Sequence, residues 1–189
     1  MNNKKILNFI FELGQLKRVK HEGWKLIGID NPESVAEHSL RAAQIGFILA
    51  KLEKYKNPSE VCSILVFHDI AECRIGDIHK VGNRYISVDE EKVIKEQTAK
   101  LENIGKEISG MFKQTERRNT EAGIIAKDAD FLEMAFMAKE YLERGYSFAQ
   151  DWIDNISKSV KTKSAVSLLK DLQKSNSNDW WQGLKKMKG

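Results

Sequence analysis

Residues 65–77 read LVFHDIAECRIGD, and they put a histidine and an aspartate side by side in an apolar run. Glu72 follows His68 by four positions and Asp69 by three, the spacing that places side chains on one face of a helix. His38, in SVAEHSLRAAQIGF, and Asp130, in IIAKDADFLEMAF, are two more polar groups set among apolar neighbours. Burying such groups is costly unless each finds a partner. Any one of them, a lone histidine above all, reads first as a hydrogen-bonded core residue. As a set they ask for more, because no basic residue stands out on these faces to pair with the acids. One divalent cation would satisfy two imidazoles and two carboxylates together. A nitrogen and oxygen donor set without thiolate suits Mn, Fe, Co, Ni or Zn rather than a structural zinc cage.

The elements that must position these residues are helical. Only two prolines interrupt the chain, at 32 and 58, and apolar residues recur at helical spacing, as in Ile6, Phe9, Ile10, Leu13 and Leu16. Ser34 and Glu37 form a capping box before the His38 helix, and Ser87 and Glu90 repeat the pattern. Asn57, Pro58 and Gly76 mark the start and stop of one helix carrying His68, Asp69 and Glu72. A long periodic stretch around Asp130 ends at Gly145. The segment VKHEGWKLIGIDNPES has no periodicity, and long loops in compact domains are often functional. The expectation is an all-α bundle of seven to nine helices in a single domain over 1–189.

Composition narrows the class. The chain is 41% hydrophobic and 31% charged with a net charge of +4, its basic residues spread along its length. That pattern argues against a partner that is a nucleic-acid polymer. No apolar run is long enough to span a membrane, and the start fits an amphipathic helix better than a signal peptide. Cys62 and Cys73, if on one helix, lie about 16 Å apart along its axis. They could not pair, so reduced thiols and a cytoplasmic location are expected.

The strings LKRVKHEGW, NPESVAEHS, FHDIAECRIGD and KDADFLEM occur in that order. Together they resemble the HD-domain superfamily of metal-dependent phosphohydrolases, and within it the 5′-deoxynucleotidase branch. The likeness runs from about residue 12 to 145, with the C-terminal helices of 147–189 packed on that core, and the later DW and NDWW dipeptides add little chemistry. The resemblance implies one divalent transition metal per chain, held by His38, His68, Asp69 and Asp130. It implies Glu72 as the catalytic glutamate, with Asp69 sharing in catalysis, and Asp77 as the contact to deoxyribose. Asp128 is a nearby acid, but ADFLEM aligns the family aspartate with Asp130. The implied substrate is a deoxyribonucleoside 5′-monophosphate, and relatives imply a homodimer. Two alternatives stay open: a phosphohydrolase acting on a nucleoside polyphosphate or cyclic dinucleotide, and a non-catalytic metal-binding scaffold.

The chain departs from the family at one point. The arginine expected before Gly-Trp in the first loop is here His21, in KHEGW. Arg18, Lys17 or Lys20, or His21 itself, would then grip phosphate, and a lysine does so only as a point charge. Trp24 reads either as a wall for the base or as a packing residue. Glu37 and Arg41 read as a solvated face with a surface ion pair, and His79 as a chance neighbour.

Overall fold

The computed structural model describes residues 2–185 and is helical, with no strand among them. Nine α-helices occur in that span: α1 (Asn3–Leu13), α2 (Val35–Leu52), α3 (Pro58–Phe67), α4 (Glu72–Ile75), α5 (Glu90–Thr98), α6 (Glu102–Arg117), α7 (Glu121–Glu143), α8 (Gln150–Ser157) and α9 (Lys163–Leu172). Helices α2, α3 and α7 pack on one another at the centre, with α6 against α3 and α7. Helices α8 and α9 pack on α7, so the C-terminal region joins the core.

The centre is tight because small residues let helices approach. Ala42, Ala126, Ala129 and Ala135 are wholly buried beside Ile64, Leu65 and Leu132. At Gly46 of α2, a Cβ would sit 2.3 Å from Leu65 Cδ1 and 3.1 Å from Val61 Cγ1 of α3. Only glycine allows that approach without moving Leu65. The spacing also sets how near His38 of α2 comes to His68, just past the end of α3.

The capping box at Ser34 forms as expected. The Glu37 amide donates to Ser34 Oγ at 3.3 Å, and the Ser34 amide donates to Glu37 Oε2 at 2.7 Å. The cap expected at Ser87 lies two residues later, where Asp89 Oδ1 accepts from the Lys92 amide. Asn57 occupies the N-cap position but makes no side-chain cap bond. The helix expected to run unbroken from Pro58 to Gly76 is instead two. It stops at Phe67, turns through 68–71 and resumes as α4. His68 Nδ1 donates to Leu65 O at 2.7 Å, a carbonyl the helix would otherwise use for its own ladder. That break swings Asp69 and Glu72 out of strict helical register.

The segment without periodicity is closed at its base. An isolated antiparallel bridge joins Lys20 and Ser34, with the His21 amide donating to Glu33 O and the Val35 amide to Val19 O. Inside it, Glu22–Ile27 forms a 3₁₀ turn ending at Gly28 with φ +87°. The first helix is less regular in burial than its spacing predicts. Phe9 is buried, but Ile10 is 56% exposed.

Candidate metal centre and active-site cleft

His38 projects from α2, His68 and Asp69 from the turn after α3, and Asp130 from the middle of α7. Their side chains converge. His38 Nε2 lies 3.1 Å from Asp130 Oδ1 and 3.7 Å from Asp69 Oδ2. His68 Nε2 lies 3.0 Å from Asp69 Oδ2 and 3.7 Å from Asp130 Oδ1. The donor atoms of His38, His68 and Asp130 all fall within 4.8 Å of one another, and Asp69 closes the group from the side.

The tautomers follow from what holds the rings. His38 Nδ1 faces Glu133 Oε2 at 2.5 Å, and His68 Nδ1 faces Leu65 O at 2.7 Å. Both partners only accept, so both Nδ1 atoms donate. A neutral ring would then present a bare Nε2 lone pair toward carboxylate oxygens, acceptor against acceptor. Such an arrangement needs a positive charge between the atoms. His68 Nε2 is buried and makes no hydrogen bond. A divalent cation fits this donor set, and fixing the Nδ1 proton by a carboxylate or carbonyl is how metal-binding histidines are usually oriented.

The electrostatics agree. Burial opposes a charge on His68, but Asp69 and Asp130 outweigh it and lift its pKa to about 10. Burial likewise opposes ionisation of Asp130, yet Lys127 and the two histidines hold its carboxyl well below the usual range. The site therefore draws positive charge, as protons or as metal.

Two clefts open beside this group. The larger, about 420 Å³, is lined by His21, Trp24, His38, Asp69, Glu72, Asp77 and Asp130, with Phe131, Met134 and Trp152 along one wall. The smaller, about 220 Å³, shares Asp69, Glu72 and Asp77 and adds Glu90, Glu116 and Lys127. Glu72 opens α4 and faces both. Its Oε2 is buried without a hydrogen bond. Burial, then Asp69 and Asp77, push its pKa up to about 10. Gly76, at φ +72°, ends α4 and turns the chain back over the cleft. Asp77 Oδ2 then accepts from the Glu22 amide at 2.6 Å, tying this turn to the first loop.

The sequence expectations divide here. His38, His68, Asp69 and Asp130 come together, and Glu72, Asp77, His21 and Trp24 line the same cleft. Arg18 is exposed, reaches back to Gly14 O at 3.4 Å and lies outside the cleft lining. Trp24 is 1% exposed. It stacks on Trp152 at 5.0 Å and meets Tyr141 edge-on at 5.1 Å. Its packing role is thus plain, while its edge still walls the cleft. Trp152, from the DW dipeptide read as chemically quiet, is part of that wall. Asp128 has a separate task. It binds Arg118 and accepts the Lys161 and Thr162 amides, fastening α7 to the start of α9.

Two partners were not visible in the sequence. The acids do have bases beside them: Lys127 Nζ lies 3.0 Å from Asp130 Oδ2. Arg41 is no surface pair. It reaches wholly buried Glu133 at 2.6–2.7 Å and Glu140 at 2.7 Å. Glu133 stands three residues after Asp130 on α7, and that spacing on an apolar helix was the available signal.

An all-helical bundle with two imidazoles and two carboxylates at the foot of an acidic cleft defines a metal-site protein of the helical phosphohydrolase type. The HD domain family matches residues 13–172, and the chain belongs to that family. It is 30% identical to the 5′-deoxynucleotidase HDDC2 of Mus musculus, over 89% of this chain and 86% of that protein. The Homo sapiens protein of the same name is 29% identical, over 93% and 88%. Among solved structures, a conserved hypothetical protein from Pyrococcus furiosus superposes with a TM-score of 0.73 at 26% identity. It covers 89% of this chain and 99% of the other.

Proposed function

We propose that this chain is a metal-dependent 5′-deoxynucleotidase, hydrolysing deoxyribonucleoside 5′-monophosphates to a deoxynucleoside and inorganic phosphate. The observation that carries the reading is the meeting of His38, His68, Asp69 and Asp130 beneath a cleft rimmed by Glu72 and Asp77, in a chain that aligns nearly end to end with relatives named for this activity. The centre would hold one divalent cation per chain, and its nitrogen and oxygen donors admit Mn, Co, Fe, Ni or Zn. When bound, the cation supplies positive charge against the phosphoryl oxygens and lowers the pKa of water.

The chain's own residues divide the rest. The P–O5′ bond breaks, the water oxygen bonds to phosphorus, and one proton must reach O5′. Glu72, whose pKa is raised by burial and by Asp69 and Asp77, supplies it and regains a proton from the attacking water. General acid catalysis of this kind contributes about two to four orders of magnitude. Asp69, at the edge of the centre, orients the attacking water. Asp77 offers a carboxylate, an acceptor that suits the 3′-hydroxyl of deoxyribose. His21 and Trp24 shape the wall beside the substrate. The free thiols of Cys62 and Cys73 support a cytoplasmic setting. An exposed apolar stripe on α2, with Leu40, Phe47, Ile48 and Leu52, supports a homodimer.

The test is phosphate release from a panel of deoxy and ribo 5′-monophosphates, 3′-monophosphates, a nucleoside triphosphate and a cyclic dinucleotide. Selective turnover of the deoxy 5′-monophosphates is expected. Turnover confined to a triphosphate or a cyclic dinucleotide would replace this reading with another phosphohydrolase.

A further inference from the structure

A nucleoside monophosphate brings two negative charges into a cleft that is already acidic. Asp69, Asp77, Asp130 and Asp151 line it, and among the described residues Lys80 is the one lysine or arginine in its lining. A single divalent cation cannot offset both the carboxylates and the incoming phosphate. Some further positive charge must face the anion.

Several neighbouring bases are already engaged, and Lys17 and Arg84, which make no ion pair among the described residues, lie outside the cleft lining. Lys127 holds Asp130, Arg41 holds Glu133 and Glu140, and Arg118 holds Asp128. Lys20 donates to Pro32 O, Lys25 pairs with Glu22, and Arg18 turns back to Gly14. Lys80 differs: among the described residues its ammonium has no hydrogen bond or ion pair. Its loop, however, is built. Asp77 accepts the Glu22 amide at 2.6 Å, His79 Nδ1 accepts the Gly82 amide at 3.0 Å, and Asn83 Nδ2 donates to Ile78 O at 3.0 Å. A free cation on a fastened loop can meet an anion with little reorganisation.

We propose that Lys80 is a phosphate-binding residue of the cleft, supplying the positive charge that an arginine at position 21 would have brought. This rests on the reading that the cleft takes a phosphomonoester. Lysine serves as a point charge with three rotatable donors. Its contribution should therefore appear in binding more than in the chemical step.

The experiment compares wild type with Lys80→Gln and Lys80→Arg, and with Lys100→Gln as a charge control on an exposed turn. All are saturated with metal. KM and kcat are measured for 2′-deoxyadenosine 5′-monophosphate, and affinity for inorganic phosphate by calorimetry. Lys80→Gln should raise KM and weaken phosphate binding about tenfold, as loss of one charged hydrogen bond predicts, with kcat changed less than about threefold. Lys80→Arg should restore both, and Lys100→Gln should match wild type. Added salt should weaken phosphate binding to wild type more than to Lys80→Gln. Equal phosphate affinity in wild type and Lys80→Gln would overturn the assignment, even in a fully active enzyme. A tenfold loss of phosphate affinity in a protein that hydrolyses no deoxynucleotide would keep Lys80 and discard the proposed activity.

Discussion

Replacing Glu133 should damage the centre without touching any atom that faces the cleft. Its side chain is wholly buried, with one oxygen on His38 Nδ1 and the other on Arg41. Removing one partner of a buried ion pair costs about 3–5 kcal/mol, because the other charge is left uncompensated. Arg41 is 30% exposed and keeps Glu140, so Glu133→Ala should fall near the low end, about 3 kcal/mol. For a chain of this size that lowers Tm by roughly 6–12 °C. His38 would also lose the acceptor that fixes its Nδ1 proton, and metal affinity should drop about 10- to 100-fold. Glu133→Gln keeps the shape but cannot accept on both sides, and should lie between. The effect has a pH signature. Burial opposes ionisation of Glu133, but His38 and Arg41 hold its carboxyl below the usual range. Its stabilising contribution is therefore full above the ordinary carboxylate range and is lost as pH falls through the lowered folded value. Wild type should lose more stability on acidification than Glu133→Ala. Thermal melts across pH, with metal titration against a chromogenic chelator, provide the assay. A Glu133→Ala protein that melts within about 2 °C of wild type, no more than a change of about 1 kcal/mol would give, and binds metal equally would refute the reasoning.

Further outcomes are expected at the rim and away from it. Glu72→Gln should keep its metal and its fold while losing about two or more orders of magnitude in kcat; normal turnover would remove its catalytic role. Asp77→Ala should lower kcat/KM on a deoxy substrate and narrow the deoxy-to-ribo ratio. An unchanged ratio would leave Asp77 only its bond to the Glu22 amide. Burial and the nearby Glu12 push the Cys73 thiol to about 11, so its alkylation by iodoacetamide should be slow at pH 8 and still rising at pH 10. A rate already level by pH 9 would contradict that environment.

The helical class and four converging residues were legible because their signals are local: an apolar period, a capping box, and polar groups where a core face should be. The break between α3 and α4 was not, since a side chain decides it. His68 takes the Leu65 carbonyl by a bond that no propensity scale contains. Lys127 and Asp130 are three residues apart on α7, yet in the sequence no basic residue stands out beside the acids. Only packing shows that their pair borders the centre. Arg41 looked like a solvated side chain for the same reason: its partner, Glu133, is 92 residues away. Trp152 was passed over because it lies beyond the stretch, about residues 12 to 145, that carries the resemblance. Its stacking on Trp24 is a tertiary contact between two segments more than a hundred residues apart, far beyond any local pattern.

The central claim is that His38, His68, Asp69 and Asp130 hold a divalent cation on which deoxynucleotide hydrolysis depends. One preparation can test it. The protein is stripped with chelator and assayed for phosphate release from a deoxyribonucleoside 5′-monophosphate. It is then restored with Mn, Co, Fe, Ni or Zn, with bound metal counted by elemental analysis alongside Asp130→Ala. The account predicts no release from stripped protein, recovery that rises in step with about one bound ion per chain, and neither binding nor recovery in Asp130→Ala. Full activity in metal-free protein, or equal metal content in Asp130→Ala and wild type, would contradict it.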